Sequence, residues 1–210
     1  NLRREGIEKG VYLTGDVMVD AIYQNMEIAE RKSRIFEELS LKKKGYILAT
    51  VHRAENTNDL NRLKNIVEAF IEIENLVFPC HPRTEKFLRK YGLWSELKKN
   101  TTLMKSVGYF DMLVLEKYAK KIITDSGGVQ KEAYIMKVPC ITLRESTEWI
   151  ETVKDGWNVL VGANKQKIMK AVKDFNPDTE TYAFKFGDGK ASRKIAVILK
   201  EFLNQKTVCE

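Results

Sequence analysis

Six short apolar runs recur along the chain, at residues 45–51, 76–80, 101–105, 121–124, 138–143 and 157–161, with helix-compatible stretches between them. Each run has the length and the β-branched or aromatic content of a strand. In the stretches between, Asn58 stands where it can cap a helix whose Leu60, Leu63, Ile66, Val67 and Phe70 share one face. Ile168, Met169, Val172 and Phe175 repeat such a stripe. Strands separated by helices need crossover connections, and these build a parallel sheet covered on both faces. The expected fold is α/β: a doubly wound, Rossmann-like parallel sheet of about six strands. Ligands of such sheets sit beyond the carboxyl ends of the strands, so the residues that follow each run are where chemistry is expected.

Two segments fall outside the alternation. Residues 1–41 contain a candidate strand at 11–14 and a helix expected over about 16–39. Near the other end, Ala191, Ile195, Ile198, Leu199 and Phe202 form the apolar stripe of a terminal helix.

Composition narrows the partners. The 210 residues are 43% hydrophobic, enough for a sizeable core. Lys and Arg number 36 against 29 Asp and Glu, a net charge of +7. That surplus is spread over stretches such as residues 41–44 and 98–99, which read as solvated faces. No helix concentrates it and no nucleic-acid motif appears, so nucleic acid is not an expected partner. Cys80, Cys140 and Cys209 are an odd number without a CxxC pair, which suggests neither a disulfide framework nor a zinc site. A reduced, cytoplasmic setting is expected. No stretch approaches the ~20 apolar residues of a membrane span, and the first residues lack the apolar core of a signal peptide. The opening Asn1-Leu2-Arg3-Arg4-Glu5 reads as the middle of something larger.

Four polar clusters follow the apolar runs. In Ile122-Ile123-Thr124-Asp125-Ser126-Gly127-Gly128-Val129-Gln130-Lys131-Glu132-Ala133, a strand ends in Ser-Gly-Gly and helix-compatible sequence begins at once. Glycines let a phosphate come close to the backbone, and the free N–H groups and positive dipole end of a new helix bind an anion. Ser126 adds a hydroxyl donor. Glu132, about one turn further, could reach a pair of ribose hydroxyls. A tight turn that needs two glycines for its geometry alone would read the same way. Neither GxGxxG nor GxxxxGK[ST] is matched, which argues against NAD dehydrogenases and P-loop kinases.

Thr50-Val51-His52-Arg53-Ala54-Glu55-Asn56 is a dense polar cluster at the end of the first run. Arg53 can pair with phosphate or a sugar oxygen, and His52 can titrate near neutral pH and stabilise a departing phosphate. A histidine in such a place is also often only a structural hydrogen-bonding residue. Phe78-Pro79-Cys80-His81-Pro82-Arg83 follows the second run and holds the only other histidine, on the same expected rim. Arg144-Glu145-Ser146-Thr147-Glu148 follows the fifth, with hydroxyl and carboxylate groups for hexose hydroxyls; a solvated charged loop is the plainer account.

In this order the clusters resemble the C-terminal domain of the non-hydrolysing UDP-N-acetylglucosamine 2-epimerases, of the GT-B structural class. The specific combination is His-Arg-x-Glu-Asn with Thr-Asp-Ser-Gly-Gly-x-Gln. The match covers most of the chain. It runs from Leu2-Arg3-Arg4-Glu5-Gly6-Ile7 and Leu13-Thr14-Gly15-Asp16, which look like the family's inter-domain segment, to Gly187-Asp188-Gly189-Lys190-Ala191-Ser192 and the last helix. The resemblance implies three parts: residues 1–41 as inter-domain segment and leading helix, 42–187 as a Rossmann-like UDP-binding domain, and 188–210 as a crossover helix.

It also implies a reaction. In that family UDP is eliminated across the sugar C1–C2 bond to give 2-acetamidoglucal, then re-added with C2 inverted, which interconverts UDP-N-acetylglucosamine and UDP-N-acetylmannosamine for polysaccharide biosynthesis. Carried over, Ser126, Gly127 and Gly128 hold the diphosphate, Glu132 the ribose, and His52 steadies UDP as it leaves and returns. Arg53, Glu55 and His81 match positions that in bacterial relatives also meet a second, activating substrate molecule. The uracil is expected near residues 107–112, with Phe110 as the available aromatic, and Arg144, Thr147 and Glu148 on the sugar side. No metal or redox cofactor is implied. The implied partners are UDP, UDP-N-acetylglucosamine, the epimerase's N-terminal domain and, when complete, a second copy in a homodimer.

Three departures accompany the match. Thr147-Glu148-Trp149-Ile150-Glu151 stands where the family commonly has Thr-Glu-Arg-Pro-Glu, and His81 is followed by Pro82-Arg83-Thr84 in place of Asn-Pro. The N-terminal domain, with the acidic residues used around C2, is not in the sequence, so this chain alone is expected to bind UDP but turn over slowly or not at all. A UDP-sugar-dependent GT-B glycosyltransferase and a non-catalytic nucleotide-sugar-binding module are the alternatives.

Overall fold

The computed structural model describes residues 2–207, with side chains through Asn204. All six expected strands are present: β1 (Ile47–Thr50), β2 (Leu76–Cys80), β3 (Thr102–Lys105), β4 (Lys121–Thr124), β5 (Cys140–Thr142) and β6 (Asn158–Leu160). They form one parallel sheet in the order β3-β2-β1-β4-β5-β6. This is the doubly wound order, whose direction of winding reverses between β1 and β4. The central strands are buried along their length, as both faces of a parallel sheet require, whereas the edge strand β3 is partly exposed.

Helices make every crossover. Before β1 lie α1 (Val17–Lys32) and α2 (Ile35–Glu38); α3 (Ala54–Thr57) and α4 (Leu60–Phe70) join β1 to β2, and α5 (Pro82–Lys90) and α6 (Trp94–Asn100) join β2 to β3. After these come α7 (Tyr109–Tyr118), α8 (Gly127–Ile135), α9 (Ile150–Lys154), α10 (Lys165–Asp174) and α11 (Ala191–Thr207). Leu63, Ile66, Val67 and Phe70 of α4 and Ile168 and Ala171 of α10 pack with the sheet residues Ala49, Phe78, Ile123 and Ile141 in one core. Leu60, expected on that face, is exposed.

Three local expectations are corrected. Residues 11–14 form no strand, and Leu13 is fully exposed; apolar, branched composition makes no strand without a neighbouring ladder. The single helix expected over 16–39 is two, because the Ser33 hydroxyl accepts from the Ile35 N–H while donating to Asp111, an alternative to helical bonding. The cap of α4 is Asp59, which accepts from the Arg62 N–H; Asn58 closes α3 and receives Arg83.

Two compact units emerge. One is Met26–Ala183, which contains the sheet; the other joins Asn1–Asn25 to Phe184–Glu210. Within the second unit, the Asp20 carboxylate accepts from the Ala191 and Ser192 N–H groups and the Ser192 hydroxyl, anchoring the start of α11. Gly187, in the left-handed region, lies so close to Gly15 that an added Cβ would stand 3.1 Å from the Gly15 Cα. Cys80 and Cys140 are free and buried, each thiol pushed up to about 12 by burial; Cys209 lies outside the described residues. No helix among the described residues is long and apolar enough to cross a membrane.

Candidate functional site

Pairing of β1 with β4 sets Thr50 beside Thr124, so the two richest clusters of the sequence leave the sheet side by side at its switch point. Their threonine hydroxyls meet at 2.6 Å, and Thr124 accepts from the Ser126 N–H. Asp125, fully buried, is the clasp between the loops. Its carboxylate accepts from the N–H groups of His52 (3.0 Å) and Arg53 (2.9 Å) and from the Asn56 amide (3.0 Å). Asn56, also fully buried, donates in addition to the Leu143 carbonyl and accepts from Arg62, which ties in the loop after β5. Both residues lie inside the two motifs. A carboxylate placed directly after a buried strand, facing an asparagine in the opposing cluster, was the available hint.

Helix α8 begins in the same corner. Ser126 caps it, accepting from the Val129 N–H. Neither Gly127 nor Gly128 has a positive φ, so turn geometry is not what calls for glycine here. What glycine provides is an uncovered helix start: a Cβ on Gly127 would stand 3.4 Å from Trp149 Nε1, 3.6 Å from Glu148 Oε2 and 3.7 Å from Arg53 Nη2. The corner therefore joins unpaired amides, the positive end of a helix dipole and a guanidinium, a combination suited to a phosphorylated ligand.

The remaining expected residues surround it unevenly. Glu55 on α3 lies 3.6 Å from Arg144 Nε, and Arg144 makes paired bonds to Glu148 at 2.8 and 3.1 Å. That pairing lowers the Glu148 carboxyl to about 2 and raises Arg144. Thr147 donates to Gln130 Oε1, which also receives Asn158; Asn158 in turn receives the Thr142 hydroxyl and donates to that of Thr152. This buried network fixes the loop after β5 against α8, with Gln130 of the Ser-Gly-Gly-x-Gln motif at its centre.

The two histidine rings lie 5.6 Å apart. His81 caps α5, its Nδ1 accepting from the Arg83 N–H, which leaves Nε2 to carry the proton. His52 Nδ1 is 3.7 Å from Asp125. Burial lowers the His52 pKa, against the pull of Asp125 and with help from His81 and Arg53, so the ring is neutral at neutral pH. Glu132 lies further along α8 and faces α7. Phe110 is in the first turn of α7, near Lys32 and Tyr109. Among the described residues no group of three His, Cys, Asp or Glu is placed to hold a metal ion.

A sequence model of the UDP-N-acetylglucosamine 2-epimerases matches residues 1–200. A UDP-N-acetylglucosamine 2-epimerase homolog of Methanococcus maripaludis is 54% identical over 204 residues, and a UDP-N-acetylglucosamine 2-epimerase of Methanocaldococcus jannaschii is 46% identical over 209. In each case 95% of this chain aligns with 57% of the relative, so the chain spans little more than half the length of these proteins. The crystal structure of the Methanocaldococcus jannaschii enzyme in complex with UDP-GlcNAc and UDP superposes with a TM-score of 0.84 at 45% identity, covering 95% of this chain and 57% of that one. With the six-stranded order and the two motifs meeting at its switch point, these similarities establish that the chain belongs to the UDP-N-acetylglucosamine 2-epimerase family.

Proposed function

We propose that this chain is the UDP-binding portion of an enzyme that interconverts UDP-N-acetylglucosamine and UDP-N-acetylmannosamine, in a cytoplasmic setting. The observation that carries the reading is the uncovered N-terminus of α8 at the β1–β4 switch point, with His52 and Arg53 held beside it by Asp125. The diphosphate rests on the amides of Gly127 and Gly128 beside the Ser126 hydroxyl, with Arg53 as counter-charge. The ribose lies along α8 toward Glu132, and the base near residues 107–112. Arg144 and Glu148 border the sugar.

In the reaction, a proton leaves C2 as the C1–O bond to UDP breaks, and addition of UDP and a proton to the 2-acetamidoglucal reverses the step with C2 inverted. The groups that move the C2 proton belong to an N-terminal domain. This chain's part is the leaving group: a neutral His52 donates its ring N–H to a diphosphate oxygen as charge accumulates there, and so stabilises departing UDP.

Calorimetry with UDP, UDP-glucose and inorganic phosphate tests the binding. UDP and UDP-glucose are expected to bind alike and phosphate far more weakly. Absence of UDP binding would overturn the reading. Rapid conversion of UDP-N-acetylglucosamine by the chain alone, followed by NMR, would overturn the assignment of the C2 chemistry to another domain.

A further inference from the structure

One ionisable group in the Met26–Ala183 unit is sealed away from every role described so far. Glu116 of α7 has no exposed surface, and no N–H or hydroxyl donor reaches either of its carboxyl oxygens. An ionised carboxylate in that position would have lost its water and gained no donor in exchange, so the neutral acid is the stable form. Three titratable groups act on its surroundings: Glu132 from α8, Cys140 from β5 and Tyr46 just before β1. None supplies a positive charge. The Tyr46 hydroxyl is already donated to the Leu115 carbonyl, and Cys140 Sγ lies 3.7 Å from the Thr142 hydroxyl. That leaves Glu132, which meets Glu116 carboxyl to carboxyl across the α7–α8 contact.

The pair is asymmetric. Burial pushes Glu116 far up, and the neighbouring Glu132 pushes it further. Burial also raises Glu132, the hydrogen bond from Glu116 and the nearby Lys131 offsetting only part of that rise. The single proton of the pair therefore resides on Glu116, and Glu132 is its acceptor. Glu132 stands five residues beyond Gly127, about 7.5 Å further along the helix axis.

We propose that Glu116 is a positioning residue for nucleoside recognition: buried where no donor reaches it, its carboxyl donates to Glu132, fixing that carboxylate so that its other oxygen accepts from the ribose hydroxyls of a nucleoside diphosphate. The inference rests on the UDP-binding reading above. A glutamate side chain without this donor would sample several rotamers and would have to be ordered on binding. With it, the acceptor stands ready and its charge is retained, although the helix around it is largely buried.

The test compares calorimetric affinities for UDP and 2′-deoxy-UDP in the wild-type chain, Glu116→Gln and Glu116→Leu. Wild type and E116Q, whose amide can still donate, are expected to prefer UDP by about tenfold, equivalent to about 1.4 kcal/mol. E116L is expected to bind both nucleotides alike, at an affinity carried by the diphosphate. A full UDP preference in a folded E116L would overturn the positioning role and leave the binding reading intact, whereas wild type failing to bind UDP would overturn both. A second measurement needs no leucine variant. The wild-type preference is expected to fall on the alkaline side as Glu116 loses its proton and two carboxylates face one another, while that of E116Q stays level. Parallel pH profiles for the two proteins would overturn the proposal.

Discussion

Asp125 and Glu116 are equally buried acids with opposite surroundings. Asp125 faces two backbone N–H groups and an asparagine amide, all converging from the loop after β1. Glu116 has nothing but a second carboxyl group. Burial alone therefore says little about what an acid does; the donors brought to it decide. Asp125 is a clasp that holds His52 and Arg53 where α8 begins, while Glu116 is a place where a proton is kept.

Removing each acid should accordingly have contrasting results. Asp125→Leu takes the acceptor from three donors, the buried Asn56 amide and the part-buried His52 and Arg53 N–H groups, and is expected to cost about 4 kcal/mol, or roughly 10 °C in melting temperature. Calorimetry should show UDP binding lost with it; a melting temperature within a degree or two of wild type would break the comparison. Next in size is Gly127→Val. Its branched side chain projects toward Trp149, Glu148 and Arg53, so UDP affinity is expected to fall at least about tenfold, a loss of roughly 1.4 kcal/mol. Gly127→Ala, whose Cβ meets only ordinary contacts, should be much milder.

Glu116→Leu replaces a buried acid that no donor reaches with an apolar group of similar size and should leave thermal stability unchanged or raise it by up to about 1 kcal/mol. The pH dependence sharpens this. Glu116 keeps its proton well above the ordinary value of 4.5, so above that pH the folded chain holds more protons than the unfolded one. Wild type is therefore expected to lose stability relative to E116L as the pH rises from there, as read by denaturant titration at several pH values. A difference that stays constant with pH would show that Glu116 is not the site of the proton.

The smallest effect belongs to Glu148, more than half exposed beside Arg144. Its lowered carboxyl stabilises the fold above the ordinary glutamate value, and that contribution disappears as the pH falls through about 2. Solvent screening limits it to below about 0.5 kcal/mol. The gap between wild type and Glu148→Gln should be small at neutral pH and vanish in strong acid.

What was legible in the sequence follows from the range of the forces involved. The six strands were readable because each apolar run is local and the alternation with helices leaves few ways to bury it. The glycine corner was readable for the same reason, since strand, Ser-Gly-Gly and helix are contiguous. The break in the first helix was not, because it depends on Ser33 reaching Asp111, 78 residues away. Residues 11–14 misled because strand-like composition says nothing about whether a partner edge is present. Glu116 was hidden by its setting: between Leu115 and Lys117 it reads as the start of a solvated face, yet α7 buries four residues in succession, Leu113 to Glu116. The clasp by Asp125 needed the register of β1 against β4, which no pattern along one strand can supply.

The most direct measurement is a crystal structure of the chain grown with saturating UDP. The β-phosphate is expected against the amides of Gly127 and Gly128 and the Ser126 hydroxyl, within reach of Arg53 and His52, with the ribose turned toward Glu132. A nucleotide bound elsewhere, or that corner left vacant at saturation, would contradict the central claim that the start of α8 is where this family member holds its substrate.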